Sequence, residues 1–302
     1  MAQSPLNYTG GKFKLLPQIL HHIPQDIHTF VDLFCGGGDV GTSVPCDNVL
    51  FNDIDSNVTG ILHAFKALPK AETLQIINET IARFRLSDSS TNGYAFYDCD
   101  GNRGLGSYNR EPFTQLKEHF NNLEERDYSY YVILYVLIIY SFNNQIRFNK
   151  QGKFNLPVGK RDFNTKMQTK LNAFIDRLQE MDCDFSNADF RQINIEQLTE
   201  NDFVYADPPY LITRATYNEQ GGWNENLEHA LYQYLDELHA HHIRFALSNV
   251  LSSKGRVNTI LQEWLANNDQ YHCLHLNYNY SNSSYHTTDR TTGSDEVLIK
   301  NY

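Results

Sequence analysis

The sequence has no apolar run long enough to cross a bilayer, and it has few cysteines. Its longest apolar stretch, residues 130–140, is far shorter than the roughly 20 residues of a transmembrane helix and is typical of a core helix. The five cysteines are odd in number and widely spaced, with no Cys-x-x-Cys pair, as in reduced cytosolic proteins. Pro5, Asn7 and Lys12 interrupt any apolar start, so no secretory signal is expected. These absences predict a cytoplasmic protein with no membrane contact.

Positive charge is also scarce, except in one segment. The 302 residues contain 25 Lys and Arg against 36 Asp and Glu, and the net charge of −11 argues against nonspecific coating of nucleic acid. Residues 143–171, however, hold seven basic residues and a single acid. We therefore expect a local cationic groove there. The length suits one large α/β domain with a smaller inserted or appended domain.

Histidines and acids offer no convincing metal site. His239, His241 and His242 fall where a predicted helix gives way to a strand, with no carboxylate or cysteine pattern beside them. Residues 98–102 resemble a calcium loop but lack the later acid that such a loop needs. We therefore expect no metal.

The most informative motif is Asp207-Pro208-Pro209-Tyr210, which follows an apolar run at residues 203–206. The run is typical of a buried strand that ends where the prolines begin. The prolines lack N–H groups and bias Asp207 to extended backbone, which predicts a stiff corner at the strand's carboxyl end. A carboxylate and a carbonyl beside an aromatic ring suit an exocyclic amine on a flat heterocycle. The alternative is a simple turn that closes the strand.

A glycine-rich turn follows the first predicted strand, residues 30–34. Such a turn brings backbone N–H groups close to a cofactor. Gly36, Gly38 and Gly41 fall on the spacing of the dinucleotide fingerprint. Asp32 at the strand end would repel a pyrophosphate, however, and would accept hydrogen bonds from an amino group instead.

The second predicted strand, residues 49–52, ends at Asp53. This acid lies 17 residues after Gly36, near the offset at which a carboxylate binds ribose hydroxyls. The first sixty residues thus predict a nucleoside site without a phosphate site, which fits S-adenosylmethionine better than NAD. Near the N-terminus, Gly11 would let the backbone approach a ligand closely, and Lys12 would supply a cation. The alternative is a simple turn that caps a helix.

A basic hairpin is predicted at residues 143–157, where two short strands flank a turn at residues 149–152. Amides and the guanidinium of Arg147 suit base edges, lysines neutralise phosphates, and phenylalanines can wedge between bases. The alternative is a solvated basic hairpin with no ligand.

The remaining pattern is alternately helical and extended. Helices are predicted at residues 13–22, 57–82 with a break near Pro69, 112–122, 128–142, 166–181, 227–238 and 257–266. A further strand is predicted at 243–247 and a terminal antiparallel pair at 271–280 and 296–302, whereas 87–111 has the composition of a loop.

With these segments placed, the chain resembles the Dam-like DNA adenine-N6 methyltransferases of the D12 class, alpha group. The matching motifs, in family order, are Gly10-Gly11-Lys12, Asp32 with Phe34-x-Gly36-x-Gly38, Asp53 and Asp207-Pro208-Pro209-Tyr210. The segment Arg147-Phe148-Asn149, Gly152, Phe154-Asn155, Pro157 and Gly159 resembles the family's DNA-reading hairpin. Tyr8 departs from members that carry Trp, and Gln145 departs from relatives that read GATC, which leaves the recognition sequence open.

The resemblance implies an α/β, Rossmann-like, seven-stranded S-adenosylmethionine-dependent methyltransferase fold. Residues 1–56 and 183–302 would form the catalytic domain, and residues 57–182 a mostly helical DNA-recognition insertion that carries a β-hairpin. The implied reaction transfers a methyl group from S-adenosylmethionine to N6 of a flipped adenine in double-stranded DNA. The implied context is restriction-modification, with a cognate restriction endonuclease, or phage or bacterial DNA modification.

The resemblance also assigns residues. The implied catalytic residues are Asp207, Pro208, Pro209 and Tyr210. The implied cofactor-binding residues are Tyr8, Gly11, Lys12, Asp32, Phe34, Gly36, Gly38, Asp53, Asp189 and Asp207. Among them, Lys12 would pair with the methionine carboxylate, Asp32 would lie near the amino group, and Asp53 would bind the ribose. The implied DNA-binding residues are Asn143, Asn144, Gln145, Arg147, Asn149, Lys150, Lys153, Asn155, Pro157 and Lys160.

Three other functions are compatible with parts of this pattern. Cytosine-N4 methylation uses the same amine chemistry, and the acid at Asp207 favours adenine. An RNA or protein-glutamine methyltransferase would share the cofactor half, but the basic hairpin disfavours it. An inactive DNA-binding homologue is disfavoured by the intact acid-Pro-Pro-aromatic motif.

Overall fold

A computed structural model describes residues 2–7, 10–46, 48–100, 102–213, 222–277 and 293–302. The chain divides into two compact units. The helical unit comprises residues 1–11, 36–42 and 55–181, and the sheet unit comprises residues 12–35, 43–54 and 182–302. Unlike the predicted division, residues 1–11 and 36–42 group with the helical unit.

The described residues contain nine α-helices and eight strands. The helices are α1 Leu16–His21, α2 Ser56–Ala67, α3 Lys70–Phe84, α4 Ser89–Asn92, α5 Gly106–Phe120, α6 Tyr128–Tyr140, α7 Thr165–Glu180, α8 Glu225–Ala240 and α9 Thr259–Ala266. The strands are β1 Phe30–Asp32, β2 Asn48–Asn52, β3 Asp182–Ser186, β4 Phe203–Ala206, β5 Arg244–Ser253, β6 Arg256–Val257, β7 His272–Leu276 and β8 Asp295–Lys300.

All eight strands belong to one sheet in the sheet unit. Seven follow the order β3-β2-β1-β4-β5-β8-β7, and the two-residue β6 pairs with β5. Strands β1 to β5 pair in parallel along this order, whereas β8 pairs antiparallel with both β5 and β7. The arrangement confirms the predicted Rossmann-like fold class, and the terminal antiparallel pair is also confirmed.

The central strands are buried because parallel strands are covered on both faces. Every residue of β1 and β4 is buried, which explains their continuous apolar runs. The edge strand β3 instead exposes Asp182 and Asp184 and buries Cys183 between them. Charged residues suit an exposed edge because they oppose pairing with another chain. The sequence suggested a strand end at Asp189 but not the bounds of β3, because its polar residues give no apolar pattern.

The carboxyl ends of β1 and β4 meet in the middle of the sheet. The two strands are parallel neighbours in which Asp32 lies opposite Tyr205. From this pair, the chain continues to β2 on one side and to β5 on the other. A sheet of this kind binds ligands in the crevice at such a reversal, so Asp32 and Asp207 share the expected ligand-binding edge.

In the helical unit, α6 is the core helix that its apolar run predicted. Nine of its thirteen residues are buried, and α2, α3 and α5 pack on it. Gly60 permits the close packing of α2, because a Cβ at that position would lie 2.2 Å from the Tyr131 ring. In the part of the chain that the structure describes, no helix combines the length and hydropathy that bilayer crossing requires.

The prediction that residues 87–111 form a loop is wrong in part. It contains α4 and a 3-10 turn at Ala95–Tyr97, and α5 begins at Gly106 rather than at Pro112. The early start is stabilised by a tertiary contact that local sequence does not show. Asn109 accepts a hydrogen bond from the Ser87 backbone N–H and donates one to the Ser87 hydroxyl, each at 2.8 Å, in a buried site.

Candidate active site

Asp207 lies at the corner that follows β4, as the prolines predict, and it contacts two other predicted site residues. Lys12 Nζ lies 2.9 Å from Asp207 Oδ1, and the Tyr210 hydroxyl donates to the same oxygen at 3.1 Å. Lys12 Nζ also lies 4.8 Å from the centre of the Tyr210 ring. The Lys12 side chain is only 6% exposed and that of Asp207 is 17% exposed. The three side chains therefore form a compact, largely desolvated cluster.

Burial and the Lys12 charge have opposite effects on the pKa of Asp207. Burial raises the pKa of its carboxyl above the ordinary value, and the charge of Glu296 acts in the same direction. The Lys12 ammonium, by its charge and hydrogen bond, and the Tyr210 hydroxyl lower that pKa. Burial and the Asp207 charge raise the Tyr210 pKa well above its usual range, so the phenol stays a neutral donor. Lys12 is thus the main group that favours the ionised carboxylate.

Two further acids stand at the neighbouring strand ends. Asp32 ends β1 and is 1% exposed, and Asp53 follows β2 and is 7% exposed. Burial raises the pKa of the Cys35 thiol well above its usual range, and the charges of Asp53 and Asp32 raise it further. Cys35 is therefore a protonated thiol and not a nucleophile.

Asn52, which the sequence pattern did not single out, connects the segments that follow these strands. Its side-chain amide donates to the Leu33 carbonyl at 3.0 Å and to the Ala188 carbonyl at 3.1 Å, and its oxygen accepts from the Ala188 N–H at 3.1 Å. These bonds fix the segments that follow β1 and β3 on either side of Asp53. An amide directly before an acid at the end of a buried strand is the signal that could have revealed it.

This donor and acceptor set fits S-adenosylmethionine. Buried carboxylates accept hydrogen bonds from ribose hydroxyls and an ammonium group, whereas they would repel a pyrophosphate. Gly36 and Gly38, which follow β1 along the chain, have φ angles of 47° and 77° in the left-handed region that favours glycine. The two glycines and the exposed Gly11 are grouped with the helical unit, and Tyr8 lies outside the described residues. Among the residues that are described, no cluster of His, Cys, Asp and Glu is suited to hold a metal.

Asp189 lies three residues beyond β3, and Arg191 engages its carboxylate. Arg191 Nε donates to Oδ1 at 2.8 Å and Nη2 donates to Oδ2 at 2.7 Å. The Arg191 side chain and backbone hydrogen bonds hold the Asp189 pKa below its usual value, against a partial desolvation effect. A contact between Asp189 and a cofactor adenine would therefore share these oxygens with Arg191.

An aromatic cluster packs next to the segments that carry the predicted cofactor residues Asp32 and Asp189. Phe34 packs against Phe190 at 5.5 Å and against the edge of Trp223 at 5.6 Å between ring centres. Phe190 and Trp223 are themselves 6.0 Å apart. Phe34 follows the Asp32 strand end and Phe190 follows Asp189, so one aromatic cluster supports both positions.

The predicted basic hairpin is present in the helical unit, but with less strand pairing than predicted. Its turn at residues 149–152 is closed by the Gly152 N–H to Asn149 carbonyl bond at 2.9 Å, with Gly152 at φ 73°. Instead of two regular strands, the flanking segments form an isolated bridge between Phe148 and Phe154. The hairpin is anchored from outside, because Asn121 at the end of α5 exchanges two hydrogen bonds with the Phe154 backbone, at 2.8 and 3.1 Å.

The predicted DNA-binding residues fall into exposed and structural groups. The exposed ones are Asn143, Arg147, Lys150, Lys153, Asn155, Pro157 and Lys160. Arg147 Nε donates to the Asn155 side chain at 2.8 Å and Nη2 donates to the Asn155 carbonyl at 3.1 Å, so Asn155 holds the Nε–Nη2 edge of the guanidinium. Half-buried Asn149 shapes the turn by accepting from the backbone of Gln151 and Lys153.

At the start of the hairpin, Asn144 and half-buried Gln145 follow α6. The Asn144 amide donates to the carbonyls of Ile138 and Ile139 and so caps the carboxyl end of α6. Asn143 and Asn144 have left-handed φ angles of 56° and 53°, and the Asn7 amide holds the Asn143 carbonyl at 2.8 Å.

The expectation that phenylalanines wedge between bases is wrong for Phe154. Its ring is 1% exposed and packs edge-on against Phe120 at 6.4 Å and against Phe148 at 5.6 Å. Phe142, which the sequence pattern did not single out, is 51% exposed beside Asn143 and Asn144, the two residues with left-handed backbone that follow α6. Because Phe142 comes at the end of the apolar run, the sequence pattern grouped it with the buried residues of the predicted helix at 128–142.

A family model for D12 class N6 adenine-specific DNA methyltransferases matches residues 8–282. The chain belongs to this family. It is 38% identical over 307 residues to modification methylase StsI of Streptococcus sanguinis and 39% identical over 306 residues to type II methyltransferase M.FokI of Planomicrobium okeanokoites. Each match covers 99% of this chain and 43% of the relative, so the chain spans about two fifths of their length. A DNA adenine methylase of Salmonella typhi is 26% identical over 213 residues, 70% of this chain and 66% of that protein.

Membership in the D12 class confirms the family that the order of motifs predicted. The matched residues include the glycine turn, Asp53, the hairpin and Asp207. The D12 chain thus has the α/β fold expected of its family, with the acid-Pro-Pro-aromatic corner at the reversal of strand order.

Proposed function

We propose that the protein is a site-specific DNA methyltransferase that transfers a methyl group from S-adenosylmethionine to N6 of an adenine flipped out of double-stranded DNA. The observation that carries the proposal is the cluster of Lys12, Asp207 and Tyr210 at the carboxyl end of β4. The names of the relatives, modification methylases, favour a restriction-modification context with a cognate endonuclease. Residues 1–56 and 183–302 would be catalytic, and residues 57–182 would recognise DNA.

The proposed roles at the target base follow from the corner after β4. Flipping the adenine costs a few kcal/mol of stacking and pairing, and stacking on the Tyr210 ring offsets part of that cost. The Asp207 carboxylate and the Pro208 carbonyl accept hydrogen bonds from N6, while Pro209 keeps the corner rigid. These bonds draw the amine toward tetrahedral geometry and free its lone pair for attack. No strong base is needed first, because the amine loses its extra proton only after transfer, so positioning and electrostatics carry most of the rate.

The proposed cofactor residues are those of the neighbouring strand ends. Bound S-adenosylmethionine supplies an electrophilic methyl group on its sulfonium centre. Lys12 would hold its methionine carboxylate, Asp32 its amino group and Asp53 its ribose hydroxyls. The other proposed contacts are Tyr8, Gly11, Phe34, Gly36, Gly38 and Asp189.

Asp53→Ala should raise the dissociation constant for S-adenosylmethionine at least about tenfold, or about 1.4 kcal/mol, with little change in DNA affinity. The reason is that Asp53 is a buried acid that directly follows β2, at the strand end to which we assign the ribose. Calorimetric titration with the cofactor measures the change. Asp55→Ala is the matched control, since Asp55 instead caps α2 by accepting from the Asn57 N–H at 3.0 Å. The control should lose about 1 kcal/mol of stability with cofactor affinity intact. An unchanged cofactor affinity in Asp53→Ala would contradict the assignment.

The proposed DNA-reading surface is the exposed part of the hairpin. The Nη1–Nη2 edge of Arg147 has the geometry that reads a guanine edge, and Lys150, Lys153 and Lys160 are point charges suited to phosphates. The exposed amides of Asn143 and Asn155, and the half-buried Asn144, Gln145 and Asn149, line or shape the same segment. The exposed Phe142 ring adds a face on which a base can stack.

Arg147→Ala and Lys150→Ala should weaken DNA binding in different ways. Arg147→Ala should cost about 1–3 kcal/mol on the cognate duplex and relax discrimination, with little change in salt slope. Lys150→Ala should weaken binding to cognate and scrambled duplexes alike. It should also lower the salt slope, which is the slope of log binding constant against log salt concentration, by up to about one unit. Binding to both duplexes at several salt concentrations separates the two effects.

Asn155→Ala provides a matched control for the Arg147 prediction. It removes the side-chain oxygen that orients the guanidinium but keeps the charge. We expect a partial loss of discrimination at an unchanged salt slope. Equal loss of affinity for both duplexes in Arg147→Ala would mean that the hairpin only contacts the backbone and that bases are read elsewhere.

The proposed reaction is tested by incubating the protein with methyl-labelled S-adenosylmethionine and duplex DNA, followed by digestion to nucleosides. We expect label in N6-methyladenine. Label in N4-methylcytosine would establish the cytosine alternative, and label in RNA or protein substrates alone would reject a DNA enzyme. DNA binding without transfer would identify an inactive homologue. Sequencing methylated DNA from a host that expresses the protein would then give the recognition site.

A further inference from the structure

A carboxylate outside the catalytic cluster is buried in the sheet unit with a full set of donors. Glu228, in the first turn of α8, is 0% exposed. Trp223 Nε1 donates to its Oε2 at 2.5 Å, and the Tyr232 hydroxyl donates to its Oε1 at 2.5 Å. The amides of Asn249 and Asn258 donate to Oε1 at 3.1 and 2.9 Å. A buried charge with one dedicated bond to an indole N–H fixes the orientation of that indole.

The indole that Glu228 holds is the one that contacts Phe34. Trp223 is 8% exposed and meets the Phe34 ring edge-on, with an interplanar angle of 82°. It also lies against Phe190, which follows Asp189. Edge-to-face contacts depend on ring orientation, so rotation of the indole would displace Phe34. Glu228 is thereby connected to the start of the glycine turn without touching it.

We propose that Trp223, oriented by the buried Glu228 carboxylate, is a positioning residue for the cofactor site. It sets the placement of Phe34 and, through it, of the backbone between Asp32 and the glycine turn. This inference rests on the proposed function, because it concerns affinity for S-adenosylmethionine. Both residues are buried, and the proposed role is indirect, through Phe34.

The chain offers a matched control that uses another carboxylate of the same helix, α8. Asp236, two turns beyond Glu228 on α8, accepts from Trp264 Nε1 at 3.0 Å and from the Tyr271 hydroxyl at 2.7 Å. This is the same combination of carboxylate, indole and phenol, and Trp264 stacks on Tyr232. The ring contacts of Trp264 are with Tyr232 and Tyr271, away from Phe34. Trp264→Phe and Asp236→Asn therefore reproduce the loss of stability without the predicted effect on the cofactor.

The test compares Trp223→Phe, Glu228→Gln and the double variant with these controls. Trp223→Phe keeps an aromatic ring and removes the N–H, whereas Glu228→Gln turns an amide donor toward the indole donor. Each single variant should raise the cofactor KM and dissociation constant about tenfold while kcat changes less than about twofold. The double variant should be no worse than either single variant, because both act through one bond. The control variants should bind the cofactor as the wild type does, at a similarly lowered melting temperature.

The outcomes separate this inference from the proposed function. Wild-type protein that neither binds S-adenosylmethionine nor transfers its methyl group would overturn the proposed function itself. Active wild type with unchanged cofactor affinity in Trp223→Phe would overturn only the positioning role, and so would fully additive effects in the double variant. If Glu228→Gln does not fold, Trp223→Phe against Trp264→Phe decides the question by itself. An equal loss of affinity in those two variants would show general destabilisation and reject the proposal.

Discussion

Asp207→Ala is expected to lower the turnover number for methyl transfer by more than about a thousandfold, or about 4 kcal/mol of barrier. Cofactor affinity should stay within a few fold of wild type. The reason is that Asp207 is the proposed acceptor for the target amine, whereas the ribose and amino contacts are assigned to the ends of β1 and β2. Single-turnover methylation of cognate duplex, measured beside calorimetric cofactor titration, gives both quantities.

Asp202→Ala is the control for this prediction. Asp202 is a buried acid at the opposite end of the same strand, where it accepts hydrogen bonds from the N–H groups of Thr29 and Thr199 at 2.9 and 2.8 Å. Its loss should lower stability by about 1–3 kcal/mol and leave turnover of the folded protein near wild type. An Asp207→Ala enzyme with turnover within about tenfold of wild type, about 1.4 kcal/mol, would remove Asp207 from the catalytic role.

Lys12→Met has the second largest expected effect, because it leaves the Asp207 carboxylate buried without its cation. Removal of one partner of a buried ion pair costs about 3–5 kcal/mol. We expect turnover at neutral pH to fall by about a hundredfold or more, which is about 2.7 kcal/mol or more of barrier. The proposed contact of Lys12 with the cofactor carboxylate adds a loss of cofactor affinity.

The pH dependence of Lys12→Met distinguishes the electrostatic cause from simple unfolding. Lys12 lowers the Asp207 pKa that burial raises, so its removal should move that pKa upward. Since only the ionised carboxylate is acceptor-only toward the amine, the acidic limb of the rate profile should shift to higher pH, and activity should partly recover there. Rates measured across the acidic and neutral range test the shift.

The folding stability of Lys12→Met should fall as pH rises, whereas its activity should recover. A carboxyl with a folded-state pKa above its unfolded value contributes stability below the unfolded pKa and loses it as pH rises through the folded pKa. The stability deficit of Lys12→Met should therefore be smallest at acidic pH and largest at neutral pH. The double variant Lys12→Met with Asp207→Asn should regain stability at neutral pH but remain inactive. A Lys12→Met rate profile with an unshifted acidic limb would contradict the electrostatic role.

Several features of this protein were determined locally by the sequence. The apolar runs of β1 and β4 predict buried parallel strands because strands covered on both faces need apolar residues at every position. The prolines after β4 terminate it because they cannot donate to a ladder, and this placed Asp207 correctly at a strand end. The stripe of leucines in α8 and the apolar run of α6 predicted core helices for the same reason of burial.

The tertiary structure decided which polar groups meet. Asn109 and Ser87 start α5 before Pro112 through a contact between segments 22 residues apart, and the charged edge strand β3 forms by pairing with β2. Asn144 became a helix cap and Asn149 a turn residue because each hydrogen-bonds nearby backbone in left-handed or turn geometry.

The pairing of Lys12 with Asp207 joins residues 195 positions apart, and the bond from Trp223 to Glu228 determines which ring contacts Phe34. The sequence by itself specified the central strands, the core helices and the acids at strand ends, because burial and backbone geometry act over a few neighbouring residues. The partners of those acids were decided only by the fold, because a hydrogen bond depends on angles and distances that chain spacing does not encode.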